Sequence, residues 1–181
     1  ASIAKLASND NSKVDRDKGE IQKGIQLLKD KLKNVNILFV VDATQSMKPY
    51  FPAIARGVEK IVQDQKSKGS LNSIRFGLAI YRDYPDGKSN EFNILPLTSD
   101  AGEFLRKIRS TACFSADNDL PEAQFQGMVK GIQSCGFKAD HSNLVVLIGD
   151  AGNHYPDNKY GKRDVVAELQ KYEASLISFQ V

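Results

Sequence analysis

Asp42, Thr44 and Ser46 occupy alternate positions directly after the apolar run Ile37-Leu38-Phe39-Val40-Val41. Five apolar residues without alternation suit a parallel strand buried on both faces, so the carboxylate and the two hydroxyls emerge together at the sheet's rim. Hard oxygen donors so placed form part of a shell for Mg2+ or Mn2+. A second apolar strand, residues 143–148, ends on Gly149-Asp150 and carries another acid to the same rim. The loop Asp117-Asn118-Asp119-Leu120-Pro121-Glu122, which opens a helix, adds further oxygens. Asp42, Glu122 and Asp150 repel one another at such short range unless a divalent cation sits among them, and the neutral oxygens of Thr44 and Ser46 fit a near-octahedral shell.

The elements that must position these residues alternate along the chain. Residues 1–17 are rich in Ser, Asn, Asp and Lys and read as a flexible lead-in. In residues 18–34, Ile21, Ile25, Leu28 and Leu32 recur at helical spacing, which predicts an amphipathic helix packed on the domain that follows. Residues 53–65 read as a helix, 74–81 and 92–97 as a hairpin, and 101–108 as a helix capped by Thr98-Ser99-Asp100. Pro121 and Glu122 open a helix to residue 134; residues 163–172 form the last helix and 175–181 the last strand. The pattern is α/β: a Rossmann-like, mostly parallel sheet with one antiparallel edge hairpin and helices on both faces. Ligands in such folds sit at the carboxyl ends of the strands.

The first loop, the Asp119-Leu120-Pro121-Glu122 segment and the strand-end Asp150 together resemble the metal-ion-dependent adhesion site of a von Willebrand factor type A (VWA) domain, over residues 35–181. The Asp-x-Pro-Glu segment is similar to integrin β I-like and hemicentin-type variants. The resemblance implies Asp42, Thr44 and Ser46 as first-loop ligands, Glu122 or Asp119 as the second-loop ligand and Asp150 as the third-loop acid. It implies Mg2+, or Mn2+ or Ca2+, as the cation. It also implies a protein partner whose acidic side chain completes the metal shell, cell adhesion or another interaction role, and an extracytoplasmic location. Where integrin-like domains hold an adjacent regulatory Ca2+ with two acids, this chain has Pro49 and Tyr50. Asp83, Asp117, Asp119 and the Pro121 carbonyl are the candidates left for a flanking cation site. The family's last strand and helix are not matched by Val181.

Tyr50, Phe51, Tyr84, His154 and Tyr155 fall on loops near the same rim and are candidates for a partner surface. The chain has 181 residues, 41% hydrophobic and 26% charged, which suits one domain. Its 25 basic residues against 22 acidic ones are spread out, so nucleic-acid binding is not implied. No apolar stretch approaches the roughly 20 residues of a membrane span. Cys113 and Cys135 lack metal-ligand spacing and read as two free thiols, with a disulfide between them the alternative. A haloacid dehalogenase-type phosphatase also places a strand-end Asp beside Mg2+, but Thr44 replaces the second Asp, its general acid. The chain therefore reads as a non-enzymatic, cation-dependent protein-binding module. The alternative is a regulatory or scaffolding VWA domain of a larger protein with a structural metal.

Overall fold

The computed structural model describes residues 11–68, 73–84, 92–114, 121–156 and 159–181. Five strands, β1 (Asn34–Asp42), β2 (Ser73–Tyr81), β3 (Asn93–Thr98), β4 (Ser142–Gly149) and β5 (Ser175–Gln180), form one sheet in the order β3-β2-β1-β4-β5. Strands β2, β1, β4 and β5 are parallel, and β3 runs antiparallel to β2 at the edge. The expected mostly parallel sheet with an edge hairpin is what the chain forms.

Period-two alternation in β1 divides the core. Ile37, Phe39 and Val41 face one layer with α2 (Phe51–Lys68) and α3 (Ala101–Arg109), where Ala55, Val58, Phe104 and Ile108 are buried. Leu38 and Val40 face the other layer with α4 (Gln124–Ser134) and α5 (Lys162–Lys171), against Met128, Val129, Ile132 and Val165. Burial of β1 on both sides explains its unbroken apolar sequence. Helix α3 starts where Asp100 accepts hydrogen bonds from the N–H groups of Gly102 and Glu103, at 2.8 and 3.0 Å.

Helix α4 lies very close to β2 because two of its residues lack side chains. A Cβ at Gly127 would lie 2.7 Å from the Tyr81 Cβ, Cγ and Cδ1, and one at Gly131 would lie 2.8 Å from the Ala79 Cβ. Gly127→Ala gains up to about 1 kcal/mol of helix propensity, but it forces α4 away from a fully buried ring at an overpacking cost of about 1–3 kcal/mol. A net loss is expected and is read as a lower urea midpoint.

The structure departs from the sequence expectation at helix α1, whereas the last strand forms where expected, as β5. Helix α1 (Asn11–Lys33) begins within the stretch expected to be a lead-in, because Lys13, Asp15, Arg16 and Lys18 include nothing that breaks a helix. Its apolar stripe does not pack on the domain: Ile21, Ile25, Leu28 and Leu32 are all exposed. Amphipathic spacing predicts that a helix has an apolar face, not that a partner for it lies within reach. Lys31 pairs with Glu173 near the start of β5. Strand β5 is an edge strand with all six residues exposed. Among the described residues no helix is long and apolar enough to cross a membrane.

Candidate metal centre at the carboxyl rim

Strand register brings the acids together. Val41 pairs with Ile148, so Asp42 stands beside Gly149 with Asp150 one residue beyond, and on its other side Asp42 pairs with Tyr81. Asp42 is fully buried. Its Oδ1 accepts hydrogen bonds from the Thr44 N–H at 2.8 Å and the Thr44 hydroxyl at 2.7 Å. The Thr44 and Ser46 hydroxyls are 3.2 Å apart, with Thr44 buried and Ser46 exposed. The other oxygen of Asp42, Oδ2, is buried without a hydrogen-bond partner, and so is Asp150 Oδ1.

Two buried carboxylate oxygens without donors are costly. Burial pushes the Asp42 carboxyl up to about 6. The hydrogen bonds from Thr44 oppose that rise, the neighbouring Asp150 adds to it and Arg82 opposes it. Backbone geometry, rather than charge, sets the place of Glu122. Its N–H donates to the Gly152 carbonyl at 2.9 Å and its carbonyl accepts from the His154 N–H at 3.3 Å, which makes a short parallel bridge to Asn153. Glu122 is therefore extended and buried, and α4 begins only at Gln124, not at Pro121 as the sequence predicts. Glu122 thus lies before the helix rather than in its first turn. Asp117 and Asp119 lie outside the described residues.

Two residues that the sequence did not single out complete the surroundings. Tyr81 is 1% exposed, and its hydroxyl has the Gln124 amide beside it but no well-formed hydrogen bond. Burial, reinforced first by Asp42 and then by Glu122 and Asp150, holds the phenol well above its ordinary range, so this hydroxyl stays neutral among three acids. A Cβ at Gly149 would lie 2.7 Å from the Tyr81 Oη and 3.4 Å from the Asp42 Cβ, so glycine is what lets the three strand ends converge. Arg82 is buried, donates to the Ala112 carbonyl at 2.5 Å and lies 4.2 Å over the Phe114 ring. The usable signal for Tyr81 and Arg82 was their place at the end of the apolar strand next to the one carrying Asp42.

The residues expected on a partner surface separate. Tyr50 and Tyr155 are exposed, Tyr155 almost completely. Phe51 is instead buried in the core, because it opens α2 with its ring turned toward the sheet. His154 is hydrogen-bonded to buried Asp83 and stacks 5.4 Å from Tyr84, whose ring lies 4.1 Å under Lys159. Asp83 also accepts from the Tyr84 N–H at 2.6 Å. Both cysteines are free.

Among the described residues no three His, Cys, Asp or Glu side chains could hold a metal ion by themselves. The rim does offer carboxylate oxygens beside hydroxyls, a set of hard donors that suits Mg2+ or Mn2+ with water filling the rest of the shell.

Residues 9–181 match the family described as the TssR protein VWA domain. The alpha-protein kinase vwkA of Dictyostelium discoideum is 30% identical over 149 residues, which cover 82% of this chain and 23% of the kinase. The chain thus spans about a quarter of the length of that curated relative. Among solved structures, the pilus adhesin SpaC from Lactobacillus rhamnosus GG is similar with a TM-score of 0.57 at 14% identity, over 81% of this chain and 24% of the adhesin. The open conformation of the same adhesin gives a TM-score of 0.55 at 14% identity, over 80% of this chain and 23% of the adhesin. At that identity the likeness is one of fold.

Proposed function

The chain belongs to the TssR protein VWA domain family, and we propose that it is a divalent-cation-dependent protein-binding module without catalytic activity. The observation that carries this reading is the pair of buried, partnerless oxygens, Asp42 Oδ2 and Asp150 Oδ1, at adjacent strand ends. Asp42, Asp150 and Glu122 are the acids that would hold a cation, with the Thr44 and Ser46 hydroxyls beside them and Asp119 the further acid of the second loop. Bound there, Mg2+ or Mn2+ would neutralise the acids and offer an electrophilic position to a partner's carboxylate. Thr44 fixes the Asp42 carboxylate by two hydrogen bonds, which leaves Oδ2 in place without further ordering. Gly149 keeps the approach to it free of side-chain atoms. The Asp119-Leu120-Pro121-Glu122 segment resembles the integrin β I-like and hemicentin-type variant in motif.

Exposed Tyr50 and Tyr155 supply aromatic contact area near the rim. An adhesive role and an extracytoplasmic location belong to this reading, and the pilus adhesin shares the fold. A second reading, a regulatory or scaffolding domain of a larger protein, is favoured by the relative vwkA, of which this stretch is about a quarter.

Mn2+ titration followed by the free-ion paramagnetic resonance signal tests the cation half. One equivalent should be taken up, and Asp150→Asn should weaken binding by at least the roughly tenfold typical of losing even an outer-shell partner. Uptake unchanged in Asp150→Asn would contradict it. For the partner half, an acidic peptide should bind more tightly in Mg2+ than in EDTA, and Asp150→Asn should erase that difference. An equal affinity in both solutions would overturn adhesion through the rim.

A further inference from the structure

Beside the acid-lined rim, and separate from it, a cavity of about 530 Å3 opens between the start of α2 and the loop after α3. Among the described residues its walls carry three cations, Lys48, Arg56 and Arg109, and no acid. Phe51, Ala55 and Cys113 are among the residues that give it an apolar lining. Phe51 and Ala55 also belong to the buried core, so the cavity borders the core itself. Arg109 shares its charge with Glu59 at 3.0 Å, whereas Lys48 and Arg56 are in no ion pair among the described residues.

The far wall is tied to the rim. The Phe114 N–H donates to the Ala43 carbonyl at 3.1 Å, and Arg82 reaches the Ala112 carbonyl from beneath. These two hydrogen bonds join the segment that lines the cavity, Ala112 and Cys113, to the ends of β1 and β2 at the rim. The volume suits a few side chains rather than a whole element. Its three cations are exposed on flexible stems instead of being buried in a rigid cage. That arrangement attracts carboxylates spread along a chain better than it holds one small anion.

We propose that this cavity is the docking site for an acidic segment of a protein partner, its carboxylates facing Lys48, Arg56 and Arg109 and an apolar side chain seated against Phe51 and Cys113. This inference rests on the reading of the chain as a protein-binding module, but not on the cation.

The probe is a fluorescein-labelled peptide, Glu-Glu-Leu-Glu-Glu, with its all-Lys counterpart as control, measured by anisotropy in EDTA. Cys113 provides a second readout, since Cys135 is buried and maleimide labelling of the folded chain therefore reports Cys113. The acidic peptide should bind in EDTA and slow Cys113 labelling. Charge reversal in the double variant Lys48→Glu, Arg56→Glu should weaken binding by roughly tenfold, with folding verified by circular dichroism. The Lys peptide should do neither. Binding that is lost in EDTA, with Cys113 labelling unaffected, would overturn the cavity while supporting the rim. Binding in EDTA that the reversal leaves intact, no binding at all, or equal protection of Cys113 by free glutamate would each overturn the partner-segment proposal.

Discussion

Replacing Asp42 with Asn is expected to erase the response of the fold to divalent cations while leaving the metal-free protein at least as stable as the parent at neutral pH. The amide keeps an oxygen to accept from the Thr44 N–H and hydroxyl, so the local turn survives. What disappears is a buried negative charge. In the parent without cation, the Asp42 carboxyl is raised from 3.8 to about 6. An acid raised in the folded state contributes its stability below the unfolded value and loses it as pH climbs through the folded one. Relative to Asp42→Asn, the parent in EDTA should therefore lose stability between about pH 4 and pH 7, by at most about 3 kcal/mol. Urea denaturation of both proteins in EDTA across that range measures the difference. A parent that gains on the variant as pH rises would show that the charge is already compensated by the protein.

Phe104→Ala should produce the largest loss of stability of any single truncation considered, about 3–5 kcal/mol. Phe104 is fully buried, with its ring 5.5 Å from Phe39 and 5.6 Å from Phe76, both tilted. It is the residue through which the amphipathic α3 grips β1 and β2 on the face opposite α4. Loss of that size is a large share of the 5–15 kcal/mol typical of a domain. Phe104→Leu, which retains most of the volume, should cost much less. Cation affinity of the molecules still folded should not change, because the ring packs on Phe39 and Phe76 in the core and supplies no donor atom to the rim. Equal urea midpoints for the Ala variant and the parent would mean that the layer collapses around the gap.

How much was legible in the sequence depended on whether the signal was local. The Ile37-to-Val41 run and the Asp100 cap are written in adjacent residues, and both fixed their elements correctly. Convergence of Asp42 and Asp150 was readable because two apolar strands in a parallel sheet must end at the same edge. Glu122 was misread as a helix residue because its partner, Asn153, is thirty-one positions away and leaves no local trace. Phe51 looked like a loop aromatic, yet at the first turn of α2 its ring points to the sheet. The exposed stripe of α1 shows the same limit: periodicity defines a face and is silent on what meets it. Tyr81 escaped notice since nothing in a strand-end tyrosine marks it as the neighbour of three acids; the register does.

The central claim, that the rim formed by Asp42, Glu122 and Asp150 holds a divalent cation, is tested most directly by a thermal melting curve in Mg2+, Mn2+ or Ca2+ against EDTA. At about a hundred times the dissociation constant, occupancy adds about 2.7 kcal/mol of stability, which for a chain of this size raises the midpoint by roughly 5–10 °C. The account predicts that rise for Mg2+ or Mn2+, its reversal by EDTA and its absence in Asp42→Asn. An unchanged midpoint for all three cations at several millimolar would contradict it.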